Sequence, residues 1–410
     1  MRSEWRMVRV GDIYDTISRT YSGDDKNVVL INTSDVYYGK VLNHKSVPNR
    51  DLKGQFKKTF QQNDILYSEI RPINRRNAFV DFDPRGYIAS TKLMVLRAKG
   101  DKVLPEYMFR FLNSNDVLQY LQSLAETRSG TFPQITFSEI ASLLVPLPPL
   151  STQQSIVDTL SCLDAKIDLN NRINENLEAQ AQAIFKSWFV DFEPFQDGEF
   201  VKSELGLIPE GWEVCRLEDF MFFQEGPGIR HWQFVEKDGT PFINIRCIQG
   251  QDLDLKTANM VSREEANGRY SHFLVKEWDI LMSTSGTLGR YAIVRKDHLP
   301  LCMNTSVIRF FPKHDFEHYS YTYGYITSWE FSTHLVEKGS GSVQLNFGPT
   351  HLKQISLVKP SEEVLRSYHE LVFPMIKKTV QLRHQNSMLA ALRDTLLPKL
   401  MSGEIEVPVD

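Results

Sequence analysis

The residues best suited to chemistry form a basic and aromatic stretch between Lys45 and Arg76. Eight basic side chains stand there against only three acidic ones, and aromatic rings are interleaved among them. Lysine and arginine neutralise phosphates, and the counterions released supply much of a protein's affinity for DNA. A solvated structural face has a similar composition, so this stretch alone leaves the two interpretations equal. The basic residues are Lys45, Arg50, Lys53, Lys57, Lys58, Arg71, Arg75 and Arg76.

Polar loops in both halves of the chain extend this hypothesis. The segment 68–77 corresponds to 283–291, and the segment 128–134 corresponds to 338–344. Arginine can form paired hydrogen bonds with guanine, and glutamine with adenine. The side chains of corresponding loops differ, as two modules that read different sequences would require. The predicted DNA-binding residues are Lys57, Lys58, Ser68, Arg71, Asn74, Arg75, Arg76, Arg128, Thr131, Gln134, Ser283, Thr284, Ser285, Thr287, Arg290, Lys338, Ser340, Ser342 and Gln344.

Two short patterns suggest an enzyme instead. The segment from His314 through Glu317 to His318 matches the H-x-x-E-H zinc pattern. It follows a proline at a strand-to-helix connection, and the corresponding segment 100–105 has no histidine. The D-x-K piece of a nuclease site occurs at 51–53, 164–166 and 254–256, without the usual Pro-Asp partner before it. A stand-alone metal-dependent nuclease or hydrolase is therefore only the alternative hypothesis.

Other catalytic signatures are missing from the sequence. The chain has no G-x-x-x-x-G-K-[ST] loop for a nucleoside triphosphate and no G-x-G-x-x-G after a strand for a dinucleotide. It also lacks the Asn/Asp-Pro-Pro-Tyr/Phe stretch that would hold a base for methylation. We therefore expect this chain to bind no metal and no cofactor of its own, and we expect no catalytic residues.

The elements that position these loops occur twice. Trp5 corresponds to Trp212, segment 64–68 to 279–283 and segment 143–148 to 355–360, with an offset between 207 and 215 residues throughout. Alternating apolar residues predict strands at 28–31, 78–81 and 93–96, and helical spacing predicts a helix over 107–124. Each half is therefore expected to be a mixed domain of helices and strands.

A long amphipathic helix ends each half. Apolar positions alternate at steps of four and three, which is the pattern of a coiled-coil seam. Pairing the two seams would bury both, but periodicity leaves parallel and antiparallel pairing open. Asn170 and Asn174 within the seam would fix its register, and Pro374 would kink or delay the second helix. The predicted seam residues are Ile156, Leu160, Leu163, Ile167, Leu177, Ile184, Trp188, Val372, Met375, Leu382, Leu389, Leu396 and Leu400.

The overall composition restricts the class of protein. The 410 residues carry a net charge of −4, which excludes a uniformly basic coat but not a local basic patch. Four scattered cysteines form no C-x-x-C pair and fit a reducing compartment. The sequence shows no signal peptide and no apolar run long enough to span a membrane, so we expect a cytoplasmic location without membrane contact.

With these features in place, the chain resembles the specificity subunits of type I restriction–modification systems. The segments that carry the resemblance close the two repeats, Leu177–Asp191 and Leu389–Glu404. The strand and loop at 279–289 and the segment 207–212 also resemble family signatures, whereas Arg71-Pro72 replaces the family's Ser-Gly-Thr type of loop.

The resemblance implies an α+β fold with two pseudo-repeated target recognition domains, separated by an antiparallel coiled coil of two long helices. Each domain would read one half of an asymmetric, bipartite site in double-stranded DNA, and the helices would set the gap. The predicted segments are 1–150 (recognition domain 1), 151–192 (spacer helix 1), 193–208 (linker), 209–360 (recognition domain 2), 361–402 (spacer helix 2) and 403–410 (tail).

The resemblance also implies that catalysis belongs to partner subunits. Two methyltransferase subunits would dock on the chain and methylate adenine N6. Restriction subunits would join through the complex as ATP-dependent translocases that cut unmodified DNA. S-adenosylmethionine, ATP and magnesium would be bound by these partners. A chain that regulates or inhibits such a complex is a further alternative.

Overall fold

The computed structural model describes residues 5–50, 54–127, 133–285, 289–338 and 346–408, without the side chain of Lys338. The chain forms two compact units. Unit 1 comprises Met1–Ile167 and Met388–Asp410, and unit 2 comprises Asp168–Ser387. The division falls within both long helices, Leu150–Phe189 and Glu362–Met401, so each unit contains a part of each helix.

Unit 1 contains short strands followed by short helices. Its strands are β1 (Arg6–Arg9), β2 (Tyr14–Ile17), β3 (Asn27–Ile31), β4 (Val36–Tyr37), β5 (Lys40–Val41), β6 (Ser46–Pro48), β7 (Phe56–Lys58), β8 (Ile65–Ser68), β9 (Asn77–Phe79), β10 (Tyr87–Ser90), β11 (Leu93–Ala98) and β12 (Leu144–Leu147). Its helices are α1 (Val10–Ile13), α2 (Pro105–Leu112), α3 (Asn115–Thr127), α4 (Phe137–Ser142), the first part of α5 (Leu150–Phe189) and the last part of the second long helix, Glu362–Met401.

Two four-stranded sheets form the centre of unit 1. One sheet has the order β2-β11-β8-β9 and is antiparallel throughout. The other has the order β6-β3-β10-β7, in which β3 and β10 run parallel. Successive side chains of a strand point to opposite faces. Met94 and Leu96 therefore pack on the helices, while Leu93 and Val95 pack in a second core on the opposite face of their sheet.

Unit 2 repeats this plan with additional elements. Its strands are β13 (Phe200–Ser203), β14 (Gly206–Pro209), β15 (Glu213–Arg216), β16 (Met221–Glu225), β17 (Phe234–Val235), β18 (Thr240–Ile243), β19 (Ile248–Gln249), β20 (Asp252–Leu253), β21 (Asn259–Val261), β22 (Ile280–Ser283), β23 (Tyr291–Ile293), β24 (Cys302–Met303), β25 (Val307–Pro312) and β26 (Ser356–Lys359). Its helices are α6 (Leu217–Phe220), α7 (Arg263–Asn267), α8 (Tyr319–Ile326), α9 (Trp329–Lys338), α10 (Pro349–Leu352) and, with the second part of α5, the first part of α11 (Glu362–Met401).

The sheet topology confirms the internal repeat. The order β16-β25-β22-β23 in unit 2 matches β2-β11-β8-β9, and the ribbon β15-β26 matches β1-β12. Strands β18 and β24 form the parallel pair that corresponds to β3 and β10. Two mixed domains of one pattern, each with helices and sheets, confirm the predicted α+β class.

The two long helices lie antiparallel in unit 2. Asn170 of α5 donates a hydrogen bond to Asn386 of α11 (2.8 Å), and Glu178 forms an ion pair with Arg383. Residue numbers rise along one helix as they fall along the other, which defines the antiparallel direction. In unit 1, Asp164 of α5 binds Arg393 of α11 at 2.7 Å.

The predicted seam is buried unevenly. Ile156, Leu160, Val372, Leu382 and Leu400 are buried. The other predicted seam residues are half-buried: Leu163, Ile167, Leu177, Ile184, Trp188, Met375, Leu389 and Leu396. Other buried residues of the same helices, among them Phe185, Phe189 and Ile376, pack on the unit 2 domain. Each helix therefore buries a face wider than a two-helix seam, because it covers a domain as well as its partner helix.

The structure corrects one local prediction and adds detail to two others. The helix predicted over 107–124 is two helices, broken at Asn113 and Ser114, where the Ser114 hydroxyl donates to Phe111 O (2.8 Å). Helix α11 begins at Glu362 and includes Pro374, so the proline does not delay it, and the kink stays a prediction. The segment 193–208, predicted as a linker, contains a 3₁₀ turn and most of the hairpin β13-β14, which ends at Pro209; its role as a linker stays a prediction.

Candidate nucleic-acid interface

The loop between β8 and β9 holds four of the ten predicted DNA-binding residues of unit 1, namely Arg71, Asn74, Arg75 and Arg76. It forms a 3₁₀ turn at Pro72–Asn74, flanked by Arg71 (φ +47°) and Arg75 (φ +50°). Left-handed backbone is unusual for arginine and is kept where surrounding contacts enforce it. Arg71 and Asn74 are exposed, while Arg75 is half-buried and donates to Asn113 O (2.8 Å).

The structure places Pro133 and Gln134, the described end of the predicted segment 128–134, against the loop between β8 and β9. The amide of Arg71 donates to Pro133 O (3.0 Å), and Ile70 forms a β-bridge with Gln134. One residue on, the amide of Ile135 donates to Glu69 O (2.8 Å). Residues predicted separately from the sequence, on loops about sixty positions apart, thus share one surface.

A hairpin that the sequence reasoning missed lies against this surface. Strands β4 and β5 meet at Tyr38 and Gly39, both with positive φ, and Gly39 has no room for a side chain because Phe109 lies 2.9 Å from the Cβ position. The guanidinium of Arg76 lies 5.2 Å from the ring centre of Tyr37, and that of Arg75 lies 4.9 Å from the ring centre of Tyr38. Two adjacent tyrosines before a glycine are the only sequence signal of this hairpin.

The corresponding loop of unit 2 has the same backbone anchors. The amide of Ser283 donates to Arg290 O (2.8 Å), as Ser68 does to Arg76 O (2.9 Å). The amide of Phe347 donates to Thr284 O (3.1 Å), which matches the bond between Ile135 and Glu69. The two units therefore fix their loops in one way while the loop side chains differ.

A cleft of about 830 Å³ lies beside the unit 2 loop. Arg246 and Arg290 are both exposed, and the side chain of Arg290 forms no hydrogen bond or ion pair with any described residue. Two arginines with little acidic compensation make the cleft attractive to phosphates or guanine. Arg246, Gln249 and Gln251 were not predicted from the sequence. The cleft is lined by Arg246, Ile248, Gln249, Gly250, Gln251, Thr257, Gly289, Arg290 and Tyr291.

Several predicted residues have structural contacts of their own. The ammonium of Lys58 donates to Thr91 O (3.0 Å) and Leu93 O (2.8 Å), and burial lowers its pKa, whereas Lys57 is exposed. Ser68, Ser283 and Thr284 are buried, so their side chains support the loops from beneath. Ser285 and Gln134 are half-buried. Arg128, Thr131, Thr287, Ser340, Ser342, Gln344 and the side chain of Lys338 lie outside the described residues.

The H-x-x-E-H segment is used for structural contacts. Phe316–His318 is a 3₁₀ turn, so the two histidines do not share a helical face. His318 is buried, and its Nε2 lies 2.7 Å from Glu362 Oε2, while Glu317 forms an ion pair with Arg366 (2.9 Å). Of the D-x-K segments, Asp164 pairs with two arginines and Asp254 caps a 3₁₀ turn; 51–53 is outside the described residues.

The described residues show neither a metal-binding cluster nor a membrane-spanning helix. They contain no group of three or more histidine, cysteine, aspartate or glutamate side chains arranged to hold a metal ion. None of their helices combines the length and apolar character needed to cross a bilayer.

Comparison with known proteins agrees with the repeated architecture. Residues 2–179 and 209–364 match the family described as the type I restriction modification DNA specificity domain. The HindI specificity subunit of Haemophilus influenzae is 33% identical over 98% of this chain and 100% of the relative. The MjaIX specificity subunit of Methanocaldococcus jannaschii is 27% identical over 79% of this chain and 76% of the relative. The S subunit structure from M. genitalium has a similar fold, with a TM-score of 0.52 at 16% identity, over 97% of this chain and 96% of that one.

Proposed function

Because the chain belongs to the family of type I restriction–modification DNA specificity domains, we propose that its two units read the two halves of one bipartite DNA site. The chain is a specificity subunit and is not itself an enzyme. The observation that carries the proposal is the repeated loop, which has matching backbone anchors at Ser68 and Ser283 and different exposed side chains. One scaffold used twice with different contact residues suits an asymmetric target.

The exposed charges support contact with the major groove. Arg71 in unit 1 and Arg246 and Arg290 in unit 2 project from loops rather than from the sheets. Arginine is the commonest reader of guanine, and exposed lysines such as Lys57 add contacts with phosphates. Base contacts would set the sequence that each unit accepts, and phosphate contacts would set its position on the duplex.

The long helices are the part of the chain to which we assign partner binding and the spacing of the two half-sites. We infer that α5 and α11 set the distance between the half-sites and dock two methyltransferase subunits, through which restriction subunits join. S-adenosylmethionine, ATP and magnesium would then act on the partner subunits, in a complex that methylates adenine N6. This complex would work in the cytoplasm, where the four free cysteines stay reduced.

Exchange of one domain tests the proposal directly. Residues 1–150 are replaced by those of a relative with a different target, and N6-methyladenine is mapped in DNA from cells that contain the chain and its methyltransferase partner. We expect one half of the methylated motif to change while the other half and the gap stay the same. The matched exchange of residues 209–360 should change only the other half.

Two outcomes would contradict this function. One is a methylated motif in which both halves change after a single exchange. The other is methylation or cleavage of DNA by the purified chain without a partner, since the proposal assigns all catalysis to other subunits. A His314→Ala variant serves as a control, because His314 is exposed and its ring only binds Asp219 O (3.0 Å); the motif should not change.

A further inference from the structure

In each unit, the tip of a two-stranded hairpin binds an arginine of helix α11. In unit 1, Arg393 Nη2 donates to the hydroxyl of Tyr38 (2.9 Å) at the tip of β4-β5. In unit 2, Arg383 Nη2 donates to Gln251 Oε1 (2.8 Å) at the tip of β19-β20. Tyr38 is the first residue of its two-residue tip and Gln251 is the second residue of its own. The two units therefore connect a hairpin to α11 with different residue types at non-equivalent positions.

Both arginines are held firmly by helix α5. Arg393 Nη1 donates to Asp164 Oδ1 (2.7 Å), and Arg383 forms an ion pair with Glu178. The side chain of Arg393 is 13% exposed and that of Arg383 is 7% exposed. A guanidinium that is buried and paired on one side presents its remaining N–H groups in a fixed direction. The hairpin tip is therefore attached to the helix pair at a defined point.

The unit 1 hairpin also contacts the loop between β8 and β9, which carries Arg71, Asn74, Arg75 and Arg76. The ring of Tyr38 has the Arg75 guanidinium 4.9 Å and the Arg393 guanidinium 5.4 Å from its centre. The amide of Tyr38 also donates to Arg75 O (3.0 Å). An uninterrupted set of contacts thus joins the predicted DNA-binding loop to the Asp164–Arg393 pair.

The unit 2 hairpin makes the corresponding connection through the cleft. Gln251 lines the cleft that also contains Arg246 and Arg290, and its side chain accepts from Arg383. The next residue, Asp252, pairs with Arg295, which donates to Ser387 of α11 (3.3 Å). One wall of the cleft is therefore fixed to the helix pair by two polar contacts.

We propose that Arg393 and Arg383 are positioning residues for DNA recognition. Through the hairpin tip of its own unit, Arg393 fixes the loop between β8 and β9, and Arg383 fixes the Gln251 wall of the unit 2 cleft. The inference rests on the proposed function. Hydrogen bonds with base edges depend strongly on distance and angle, so a loop that loses its support loses discrimination between bases before it loses contact with phosphates.

The test uses the complex of the full chain with its methyltransferase partner. Unit 1 is changed by Tyr38→Phe and Arg393→Gln, and unit 2 by Gln251→Leu and Arg383→Gln. Dissociation constants are measured for the target site and for duplexes with one base pair changed in either half, which have been assigned by the exchange of residues 1–150. Tyr38→Phe and Gln251→Leu leave the helix ion pairs intact and guard against loss of folding.

We expect each unit 1 variant to reduce discrimination in its own half-site about tenfold, the size expected for one hydrogen bond to a charged group. Discrimination in the other half-site should stay within about twofold of the wild-type value, because changes at independent sites have separate effects. The unit 2 variants should give the reverse pattern. Arg366→Gln is the matched control, because Arg366 also lies on α11 but pairs with Glu317 instead of a hairpin residue. It should leave both halves unchanged.

Purely structural roles predict a different result. If the variants lower the affinity for all duplexes by the same factor, or weaken both halves equally, the inference is overturned. Normal discrimination by the wild-type complex and by all four variants would also overturn it and leave the proposed function intact. A wild-type complex that does not distinguish the half-sites would overturn the proposed function, and this inference with it.

Discussion

Asp64 and Arg97 form a bidentate ion pair inside unit 1. The distances from Arg97 Nε to Asp64 Oδ1 and from Arg97 Nη2 to Asp64 Oδ2 are both 2.7 Å. The carboxylate also accepts from the amide of Gln61 (2.7 Å) and is fully buried. Unit 2 contains a looser counterpart, in which Arg309 lies 3.3 Å from Asp279 and Asp279 accepts from the amide of Lys276 (2.8 Å). The repeated aspartate thus orders the turn before the central strand in both units.

Asp64→Asn should lower the free energy of unfolding by about 3 kcal/mol, because it leaves Arg97 without its partner charge. Asp279→Asn should cost less, since its ion pair is longer and burial raises the pKa of Asp279 above its usual value. Chemical denaturation of the two variants measures the difference. Asp83→Asn is the control, because Asp83 pairs with Arg85 at an exposed position. Equal losses for Asp64 and Asp279 would contradict this prediction.

Asn170→Leu should raise thermal stability but weaken the register of the helix pair. Asn170 is fully buried, and its amide donates to Gln385 (2.9 Å) and Asn386 (2.8 Å). A buried polar contact in a seam costs stability and selects one alignment of the helices. Thermal unfolding and light scattering after size exclusion should show a higher midpoint and additional oligomers. Asn176→Leu, at an exposed position of the same helix, is the control and should change neither the midpoint nor the oligomeric state. If Asn170→Leu forms a single oligomeric species, the result argues against a role of Asn170 in register.

Gly324→Ala should destabilise unit 2 by about 1–3 kcal/mol. A Cβ at this position would lie 2.4 Å from Phe185 Cδ2, although alanine is the better helix former. The loss of stability is measured by chemical denaturation, and Phe185→Leu in the same chain should recover part of it. Gly228→Ala is the control, because its nearest neighbour, Thr305 Cγ2, is 3.8 Å away. Stabilisation by Gly324→Ala would show that the packing gives way at little cost.

The cysteines should differ in their rate of alkylation by iodoacetamide near pH 8. Cys162 is exposed on α5, whereas Cys247 and Cys302 are buried. Burial raises the pKa of Cys302 and of half-buried Cys215 to about 11, and only the thiolate is nucleophilic. Mass spectrometry should find Cys162 modified first and all four modified after unfolding in denaturant. Labelling of Cys302 as fast as that of Cys162 in the folded chain would count against the packing of β24.

Much of the fold could be predicted from the sequence because its signals are local or periodic. The repeat predicted the matching sheets, and the strands predicted at 28–31 and 93–96 lie within β3 and β11. The heptad pattern found both long helices but not their full contact face. Phe185, Phe189 and Ile376 are buried against a domain, and a search for a single apolar stripe does not anticipate a second partner.

The candidate site was less predictable because its contacts join distant parts of the chain. Tyr38 and Arg393 are separated by 355 positions, and no local pattern marks such a pair. Lys58 was predicted to bind DNA because of its charge, but its ammonium donates hydrogen bonds to backbone carbonyls of its own unit. The direct contacts of the remaining predicted residues with DNA stay predictions.

The division of both long helices between the units has a consequence for biosynthesis. The core of unit 1 includes Leu397, Leu400 and Met401, which follow unit 2 along the chain. A ribosome makes residues 5–167 first, so these three side chains emerge only after the whole of unit 2 has been made. The amino-terminal part of unit 1 therefore keeps some of its apolar surface uncovered until these residues have been made, and a stop codon near residue 390 would leave unit 1 without part of its core although unit 2 would be complete.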